Sequence, residues 1–395
     1  MNSKRHAGFD IRSFTYSNDR QRVSPRARRR LVMNETLAPV CGARGPGSLL
    51  GRAYTSALSL VFGLGLLVIT ATVSAAPAKE RTFCIFDPVG ANGVFYQIAQ
   101  NYVIQANAWG YKLKPRAYTD EQVAARDFKA GRCDLAALTG IKTINFVKFA
   151  GSLDMVGGLQ TYDQERTAIR VMSSPKAAPY MQENGYEVVG VMPFGKVFIF
   201  ARRKQYLDSL ADSAGKKIAV LTGDKQQTTI VDAAGASAVN ASIATFGPMF
   251  TNGSVDMAFA PAIAYDGLEL SKGLGQQGGI ADLVLSMLSV QIIVHQGRFP
   301  DDFGARSRRW VIDHLFDKAL VRMRAAEDDV LPRHWVDISP QNKARYVELL
   351  RRARGDLWAS GWYDHRMQHL LKKIRCDSDS ARAECSQATE GGAAN

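Results

Sequence analysis

Short apolar runs rich in β-forming residues alternate with helical segments from residue 76 onward, and this alternation constrains the fold most. Three runs have the length and composition of strands: TFCIF (82–86), YKLKPRAY (111–118) and CDLAAL (133–138). Between them, residues 94–110 and 120–131 carry apolar side chains at helical spacing, and each segment closes on a glycine. A β-α-β-α-β order predicts a parallel sheet with right-handed crossovers.

The same alternation restarts after a middle section, which predicts a second α/β unit. Four more runs are typical of strands: YEVVGVM (186–192), KVFIFAR (196–202), KKIAVLTG (216–223) and VDMAFAP (255–261). Residues 226–236 should form the helix of this unit, and ASIATF (241–246) should lead into a loop. LSVQIIVHQGRF (288–299) alternates like a strand that returns to the first unit, and residues 300–376 are almost entirely amphipathic and helical.

These patterns predict an α/β fold of two lobes with a helical C-terminal third. The chain is long enough for two folded units and a removable end. The predicted parts are a basic leader and signal peptide (1–75), lobe I (76–205), lobe II (206–287), a return strand with C-terminal helices that pack on the lobes (288–376), and a tail (377–395).

The N-terminal 75 residues have the character of an export signal. An arginine-rich stretch precedes an apolar run of about 17 residues (57–73), and VSA (73–75) offers small residues for cleavage between Ala75 and Ala76. A membrane span needs ~20 apolar residues, so a cleaved signal peptide is favoured over an uncleaved anchor. Met33 is an alternative start of translation. The mature protein is therefore predicted to be periplasmic.

The positive charge of the chain is concentrated in this leader. Residues 1–75 carry 11 Lys and Arg against 3 Asp and Glu, so their removal lowers the formal net charge from +13 to +5. A remaining charge of this size gives no support to nucleic-acid binding, and no motif of a nucleic-acid-binding fold is present in the sequence.

Four cysteines remain after cleavage, in a compartment where disulfides persist. Cys376 and Cys385 flank a short polar stretch near the chain end, and we predict that they are joined, with free thiols as the alternative. Cys84 and Cys133 lie in apolar, strand-like runs, where a buried free cysteine is a common filler. No CxxC spacing indicates a structural zinc site.

The sequence lacks the motifs that common enzyme classes require. It has no GxSxG elbow, and GLGQQG (273–278) follows a helix-like segment where a dinucleotide loop needs a strand. His365 and His369 are four apart, but Arg366 occupies the position where a zinc protease carries its glutamate. We therefore predict no catalytic residue, no cofactor and no metal.

Three longer stretches resemble, in order and spacing, the solute-binding proteins of tripartite ATP-independent periplasmic (TRAP) transporters, of the DctP type. They are KAGRCDLAALTG (129–140), DSLADSAGKKIAVLTGD (208–224) and FTNGSVDMAFAPAIAYDGLEL (250–270). The likeness covers roughly residues 80–376 and is greatest to an uncharacterised group within or beside that family. It implies a two-lobed, periplasmic-binding-protein-like fold with a ligand cleft between the lobes.

In such a fold, loops at the carboxyl ends of parallel strands converge on the cleft. DPVGANGVFY, TGIKT and TGDKQQT are those loops here, and each offers a glycine and short polar side chains. The candidate ligand contacts are Asp87, Asn92, Phe95, Tyr96, Thr139, Lys142, Thr222, Asp224, Gln226 and Tyr265. For Asp87 and Asp224, turn formation and helix capping are alternative roles.

One departure from the family bears on the ligand. The strand that matches KKIAV carries an arginine in that family, which binds the ligand carboxylate in a bidentate manner, whereas this chain has Ala219. We therefore expect simple dicarboxylates to bind poorly. The candidate contacts favour a partly apolar or aromatic, hydrogen-bonding solute, with Lys142 as the obvious cation to offset an acid.

The resemblance implies a monomeric, exported protein that captures a small molecule for inner-membrane transporter subunits and acts on no nucleic acid. An alternative is a non-enzymatic accessory or ligand-sensing component of an envelope transport or efflux system, with the arginine-rich helices of residues 305–355 as its docking face.

Overall fold

The computed structural model describes residues 79–386. The predicted leader, its cleavage site and the final part of the predicted tail lie outside the described residues. Among residues 79–386, none of the helices combines the length and the apolar character that crossing a membrane requires.

Strands and helices alternate up to residue 295, and helices dominate afterwards. The strands are β1 (Lys79–Phe86), β2 (Tyr111–Tyr118), β3 (Leu135–Thr139), β4 (Gln182–Glu183), β5 (Tyr186–Ala201), β6 (Lys217–Leu221), β7 (Ser237–Ala241), β8 (Met257–Pro261), β9 (Gly279–Ala281), β10 (Ser286–His295) and β11 (Trp335–Val336). The helices are α1 (Val94–Ala108), α2 (Glu121–Lys129), α3 (Gly140–Thr143), α4 (Lys148–Gly151), α5 (Tyr162–Met172), α6 (Lys225–Ala233), α7 (Ile243–Asn252), α8 (Ala264–Gly267), α9 (Leu270–Leu274), α10 (Phe303–His314), α11 (Phe316–Asp328), α12 (Pro340–Ala359) and α13 (His365–Ser378).

These strands form one mixed sheet with the main order β2-β1-β3-β10-β5-β8-β6-β7. The predicted parallel arrangement holds within each half, for β2-β1-β3 and for β8-β6-β7. It is wrong for the sheet as a whole, because β10 lies antiparallel between β3 and β5, and β5 is antiparallel to β8. The predicted return strand β10 and strand β5 together therefore join the two halves.

The prediction of separate strands at 186–192 and 196–202 is wrong, because β5 is continuous for 16 residues. Proline and glycine at 193 and 195 are common at turns, but here they lie in a β-bulge. Leu288 of β10 pairs with Gly195 and Ser289 pairs with Pro193, so Phe194 has no partner across the ladder. Gly195 has φ +117°, a conformation that glycine adopts without strain.

Lobe II differs from prediction at residues 237–252. The stretch predicted to lead into a loop instead runs into the first turn of α7, whose N-terminus is closed by a capping box between Ser242 and Thr245. Strand β7 before it was not predicted, because its sequence SAVNA lacks a strongly apolar run and lies, largely exposed, at the edge of the sheet. The predicted lobe boundaries at 205/206 and 287/288 remain predictions.

Two disulfides cross-link the described residues. Cys376 and Cys385 are joined across 9 residues, as predicted. The expectation of free thiols at Cys84 and Cys133 is wrong, since these residues form a disulfide with a Cα–Cα distance of 5.9 Å. The reason is tertiary: Cys84 lies on β1, and Cys133 lies two residues before β3, which pairs with β1.

The C-terminal helices pack on both halves of the sheet. Helices α10 and α11 lie against β5, α13 contacts α5, and α12 contacts α6. The predicted helical C-terminal third thus holds the two α/β units together.

Candidate ligand-binding cavity

A cavity of about 430 Å³ lies over the middle of β5, where the two halves of the sheet meet. The register of the strands places it there. Thr139 at the end of β3 is level, through β10, with Met192, while Pro261 at the end of β8 pairs with Val197. The carboxyl ends of the strands in both halves therefore point toward residues 192–197 from opposite sides.

Seven of the sequence-predicted contacts line this cavity: Asp87, Asn92, Phe95, Thr139, Asp224, Gln226 and Tyr265. Three predicted contacts lie outside its lining: Tyr96, Lys142 and Thr222. This placement brings residues from three predicted loops to one site, while a role in ligand binding remains a prediction for each of them.

Two of the residues outside the lining form a contact between the lobes. The Lys142 ammonium lies 3.4 Å from the carbonyl oxygen of Thr222, and the side chain of Gln122 donates a hydrogen bond to the same oxygen at 2.8 Å. Tyr96 contributes its backbone N–H to Asp87 at 3.2 Å. These positions stabilise the arrangement of loops around the cavity.

The Asp87 carboxylate serves as a cap for the start of α1. It accepts hydrogen bonds from the backbone N–H groups of Phe95 and Val89, each at 2.9 Å. A Cβ on Gly93 would lie 1.8 Å from Asp87 Oδ1, so only glycine fits beneath this carboxylate. Burial raises the pKa of Asp87, whereas its backbone hydrogen bonds lower it. The structure thus gives Asp87 the alternative, structural role.

Three further carboxyl groups line the cavity and are almost fully buried: Glu121, Asp154 and Asp224. Glu121 Oε1 accepts from the N–H of Thr139, and Asp224 Oδ1 accepts from the N–H groups that begin α6. Asp154 accepts from the hydroxyl and the N–H of Ser289 at 2.6 and 3.0 Å. Burial raises the pKa of Glu121, that of Asp224 to about 6 and that of Asp154 to about 8.

An aromatic pair forms part of the apolar wall. The rings of Phe95 and Phe194 are stacked with centroids 4.0 Å apart. Phe95 comes from α1, and Phe194 is the residue that the bulge in β5 leaves without a cross-strand partner. Phe246 and Phe259, both buried, add two more rings from lobe II. The wall suits an apolar or aromatic part of a solute.

The Tyr265 hydroxyl forms a hydrogen bond with His334. His334 Nε2 lies 2.8 Å from the carbonyl oxygen of Gly275, so this nitrogen donates and Nδ1 accepts from the Tyr265 hydroxyl at 2.8 Å. Tyr265 therefore offers its ring to the cavity, and its hydroxyl supports the wall.

Gln226 is held from behind by the segment between α12 and α13. The Tyr363 hydroxyl donates to Gln226 Oε1 at 2.5 Å and accepts from the N–H of Val156 at 3.2 Å. Tyr363 is fully buried and links the start of α6 in lobe II to lobe I. Sequence reasoning did not select Tyr363, since no local pattern relates it to residues more than 130 positions earlier.

Ala219, which replaces the arginine of the resembling family, lies within β6 and is fully buried. It pairs with Ala258 of β8 and packs in the core of lobe II, outside the cavity lining. Arg322 of α11 is the one basic residue among the lining residues.

Sequence reasoning missed Glu121, Asp154 and Phe194. Glu121 begins α2, and an acidic residue in the first turn of a helix is common, so its position in the sequence did not distinguish it. The one sequence signal for Asp154 was Gly140, a glycine that directly follows a strand. The structure explains this glycine, because a Cβ there would lie 2.4 Å from the Asp154 carboxyl group. Phe194 was hidden by the interpretation of its neighbours as a turn.

The fold is that of the solute-binding proteins of TRAP transporters. The TRAP solute-binding protein of Haemophilus influenzae, solved with bound L-gulonate, has a TM-score of 0.62 at 12% identity, covering 75% of this chain and 99% of that one. The protein from Desulfovibrio salexigens, solved with orotic acid, has a TM-score of 0.61 at 12% identity and covers 75% and 97%. The resemblance to TRAP solute-binding proteins is confirmed at the level of the fold.

The family follows from sequence comparison. The model of the solute-binding protein AdeT 1/2 family matches residues 110–390. AdeT1 of Acinetobacter baumannii, named a probable solute-binding protein, is 36% identical over 301 residues, which are 76% of this chain and 98% of AdeT1. This chain belongs to the AdeT 1/2 family of solute-binding proteins.

Proposed function

We propose that this protein captures a small solute between its two lobes in the periplasm and delivers it to an inner-membrane transporter. The observation that carries the proposal is the cavity of about 430 Å³, whose walls come from both halves of the sheet. Its volume lies in the range of small-molecule sites. Membership of a solute-binding family and the shared fold support the same function.

The contacts between the lobes suit a binding cycle. Gln122 and Lys142 of lobe I meet the Thr222 carbonyl of lobe II beside the cavity. A solute that touches both lobes favours the arrangement in which these contacts form, and its departure removes that preference. Strands β5 and β10, which lie between the two parallel halves of the sheet, are the connections about which the lobes move.

The proposal includes the features that the fold alone leaves open. The protein binds its solute without catalysing a reaction and works as a monomer after cleavage of its leader near Ala75 and Ala76. Its solute contacts include the seven predicted residues that line the cavity. Its partners are the solute and the membrane subunits of a transporter, with no role for nucleic acid.

A thermal-shift screen of amines, amides, acids and sugars tests the proposal. A solute present at 100 times its Kd should stabilise the protein by about 2.7 kcal/mol. Native mass spectrometry of protein purified from its own periplasm should show a co-purified small molecule. Absence of both a stabilising compound and a bound molecule would favour the accessory role in an envelope system.

A pair of variants on α7 ties binding to the cavity. Ile243 lines the cavity, whereas its neighbour Ala244 is exposed. Ile243→Trp places extra bulk against the bound solute and should abolish the thermal shift, while Ala244→Trp should retain it. Equal binding by both variants would place the solute elsewhere.

A further inference from the structure

The lining of the cavity is strongly acidic. Six carboxyl residues line it: Asp87, Glu121, Asp154, Asp224, Asp266 and Asp329. Arg322 is the one basic residue that lines it. Burial raises the pKa of Asp154 to about 8, so this acid is protonated at neutral pH, and the other five still outnumber Arg322. This excess of acidic groups repels an anion and attracts a cation, and the attraction is strong where water is excluded.

Glu121 and Asp224 retain acceptor capacity after their structural roles are met. The hydrogen bonds of Glu121 use Oε1, and the capping bonds of Asp224 use Oδ1. Within residues 79–386, the second oxygen of each carboxylate accepts no hydrogen bond from the protein. Both side chains are more than nine-tenths buried and line the cavity, so these oxygens are available to a ligand in its wall.

Thr139 provides an independent sign of a missing partner. It is 4% exposed and lines the cavity, and its Oγ1 has no hydrogen-bond partner of normal geometry among the described residues. The hydroxyl is nevertheless near enough to the Glu121 carboxyl to lower the pKa of that group. The backbone N–H of Thr139 donates a hydrogen bond to Glu121 Oε1, so the Thr139 hydroxyl lies beside the same carboxylate. A buried hydroxyl without a partner is unfavourable unless a ligand supplies one.

Lys142 offsets only part of the cost of burying the Glu121 and Asp224 carboxylates. Lys142 faces Glu121 and Asp224 and lowers the pKa of both, but its ammonium lies 3.4 Å from the Thr222 carbonyl and outside the cavity lining. Desolvation outweighs this effect and raises the pKa of both carboxyl groups. A bound cation offsets that cost, and an anion increases it.

From this arrangement we infer that the solute is a compact organic cation, with its ammonium group bound by Glu121, Asp224 and Thr139 and its apolar or aromatic body against Phe95 and Phe194. The inference rests on the proposed function of the cavity. The three polar residues supply acceptors for an N–H-bearing head group. The stacked rings contribute apolar contact and a favourable surface for a cation.

Three compounds with one body and different head groups test the inference on the unmodified protein. 2-Phenylethylamine, 2-phenylethanol and phenylacetate carry a cation, a neutral hydroxyl and an anion at neutral pH. Isothermal titration calorimetry should give the amine an affinity at least tenfold above that of the alcohol, with phenylacetate the weakest. Binding of phenylacetate or the alcohol as tightly as the amine overturns the inference.

Variants then locate the charge. Glu121→Gln and Asp224→Asn each keep an oxygen for the existing backbone bonds but lose the negative charge. Each should weaken 2-phenylethylamine binding by about tenfold or more and leave 2-phenylethanol within about twofold. Asp232→Asn, an exposed change on the same helix as Asp224, should leave both affinities unchanged. Equal losses for amine and alcohol would indicate a packing defect and contradict the assignment.

The outcomes for solute class and for function are separable. If no amine binds but another solute co-purifies or stabilises the protein, the inference fails and the proposed function stands. If no compound binds and none co-purifies, both fail.

Discussion

Asp154 is a buried acid whose burial outweighs the hydrogen bonds that it accepts and favours its protonated form. It is 1% exposed, and Ser289 provides a hydroxyl that accepts or donates a hydrogen bond. The neighbouring acids Glu121 and Glu165 repel its negative charge, and burial raises its pKa from 3.8 to about 8. At neutral pH the folded protein therefore holds a proton that the unfolded chain has released.

This linkage predicts how stability depends on pH at Asp154. Because the folded pKa lies above the unfolded one, the contribution is fully present below pH 4 and is lost as pH rises toward 8. Asp154→Asn keeps an acceptor for the Ser289 N–H and a donor for its hydroxyl, without a titrating group. The variant should gain on the order of 1–3 kcal/mol relative to wild type between pH 5 and pH 8.

Thermal denaturation of both proteins at the two pH values measures this difference. Asp313→Asn, an exposed change on α10, serves as the control and should show no such trend. A constant difference between wild type and Asp154→Asn across this range would contradict the assignment of a raised pKa.

Individual residues show how far sequence could lead to the cavity. Asp87 and Asp224 were found because a strand, a polar turn and a helix follow one another locally, and that order determines which edge of the sheet they occupy. Glu121 and Asp154 were not found, because their place in the wall depends on which strands become neighbours. Lys142 was interpreted as a ligand contact from its loop, but its ammonium reaches across to the other lobe.

At the scale of elements, the bulge in β5 connects backbone geometry to the cavity wall. Gly195 at φ +117° lets the strand accommodate one extra residue. That residue is Phe194, whose ring stacks on Phe95. A Cβ at position 195 would also lie 3.3 Å from the sulfur of Met323. The bulge is therefore both a backbone requirement and the source of one aromatic wall.

Gly195→Ala should destabilise the protein by about 1 kcal/mol or more and weaken binding of any solute that contacts Phe194. Chemical denaturation measures the first effect and calorimetry the second. Gly355→Ala is the opposite control: this glycine lies within α12 with open space around it, so alanine should stabilise by up to about 1 kcal/mol. Unchanged stability of Gly195→Ala would contradict the role given to the bulge.

The order of elements was predictable where hydrophobic periodicity is strong, as in β1, α1, β2 and the C-terminal helices. It was not predictable where tertiary pairing decides. Strand β7 needs no strongly apolar run because it lies at the sheet edge, and β5 stays continuous through Pro193 because a bulge accommodates it. Pairing of β1 with β3 likewise brought Cys84 to Cys133.

At the scale of the whole molecule, Tyr363 links parts of the chain that belong to different lobes. Its hydroxyl bridges Val156 and Gln226, so removal of that one oxygen breaks both bonds and leaves buried groups without a partner. Tyr363→Phe should cost about 1–3 kcal/mol in the arrangement where the lobes touch and shift the protein toward separated lobes.

Small-angle X-ray scattering of the ligand-free proteins should show a larger radius of gyration for Tyr363→Phe than for wild type. Tyr206→Phe is a matched control, since the ring that contacts the Lys216 ammonium is kept and only a hydroxyl is lost. Identical scattering from wild type and Tyr363→Phe would show that the hydroxyl does not influence the separation of the lobes.

The position of β10 between β3 and β5 has a consequence for how the chain acquires its structure during synthesis. Strands β3 and β5 are complete by residue 201, yet the strand that pairs with both begins only at Ser286. At ribosomal rates of about 5–20 residues per second, the intervening 84 residues take roughly 4–17 s. Throughout that interval two apolar strand edges lack their final neighbour, so the nascent chain is most exposed to aggregation just before its sheet closes.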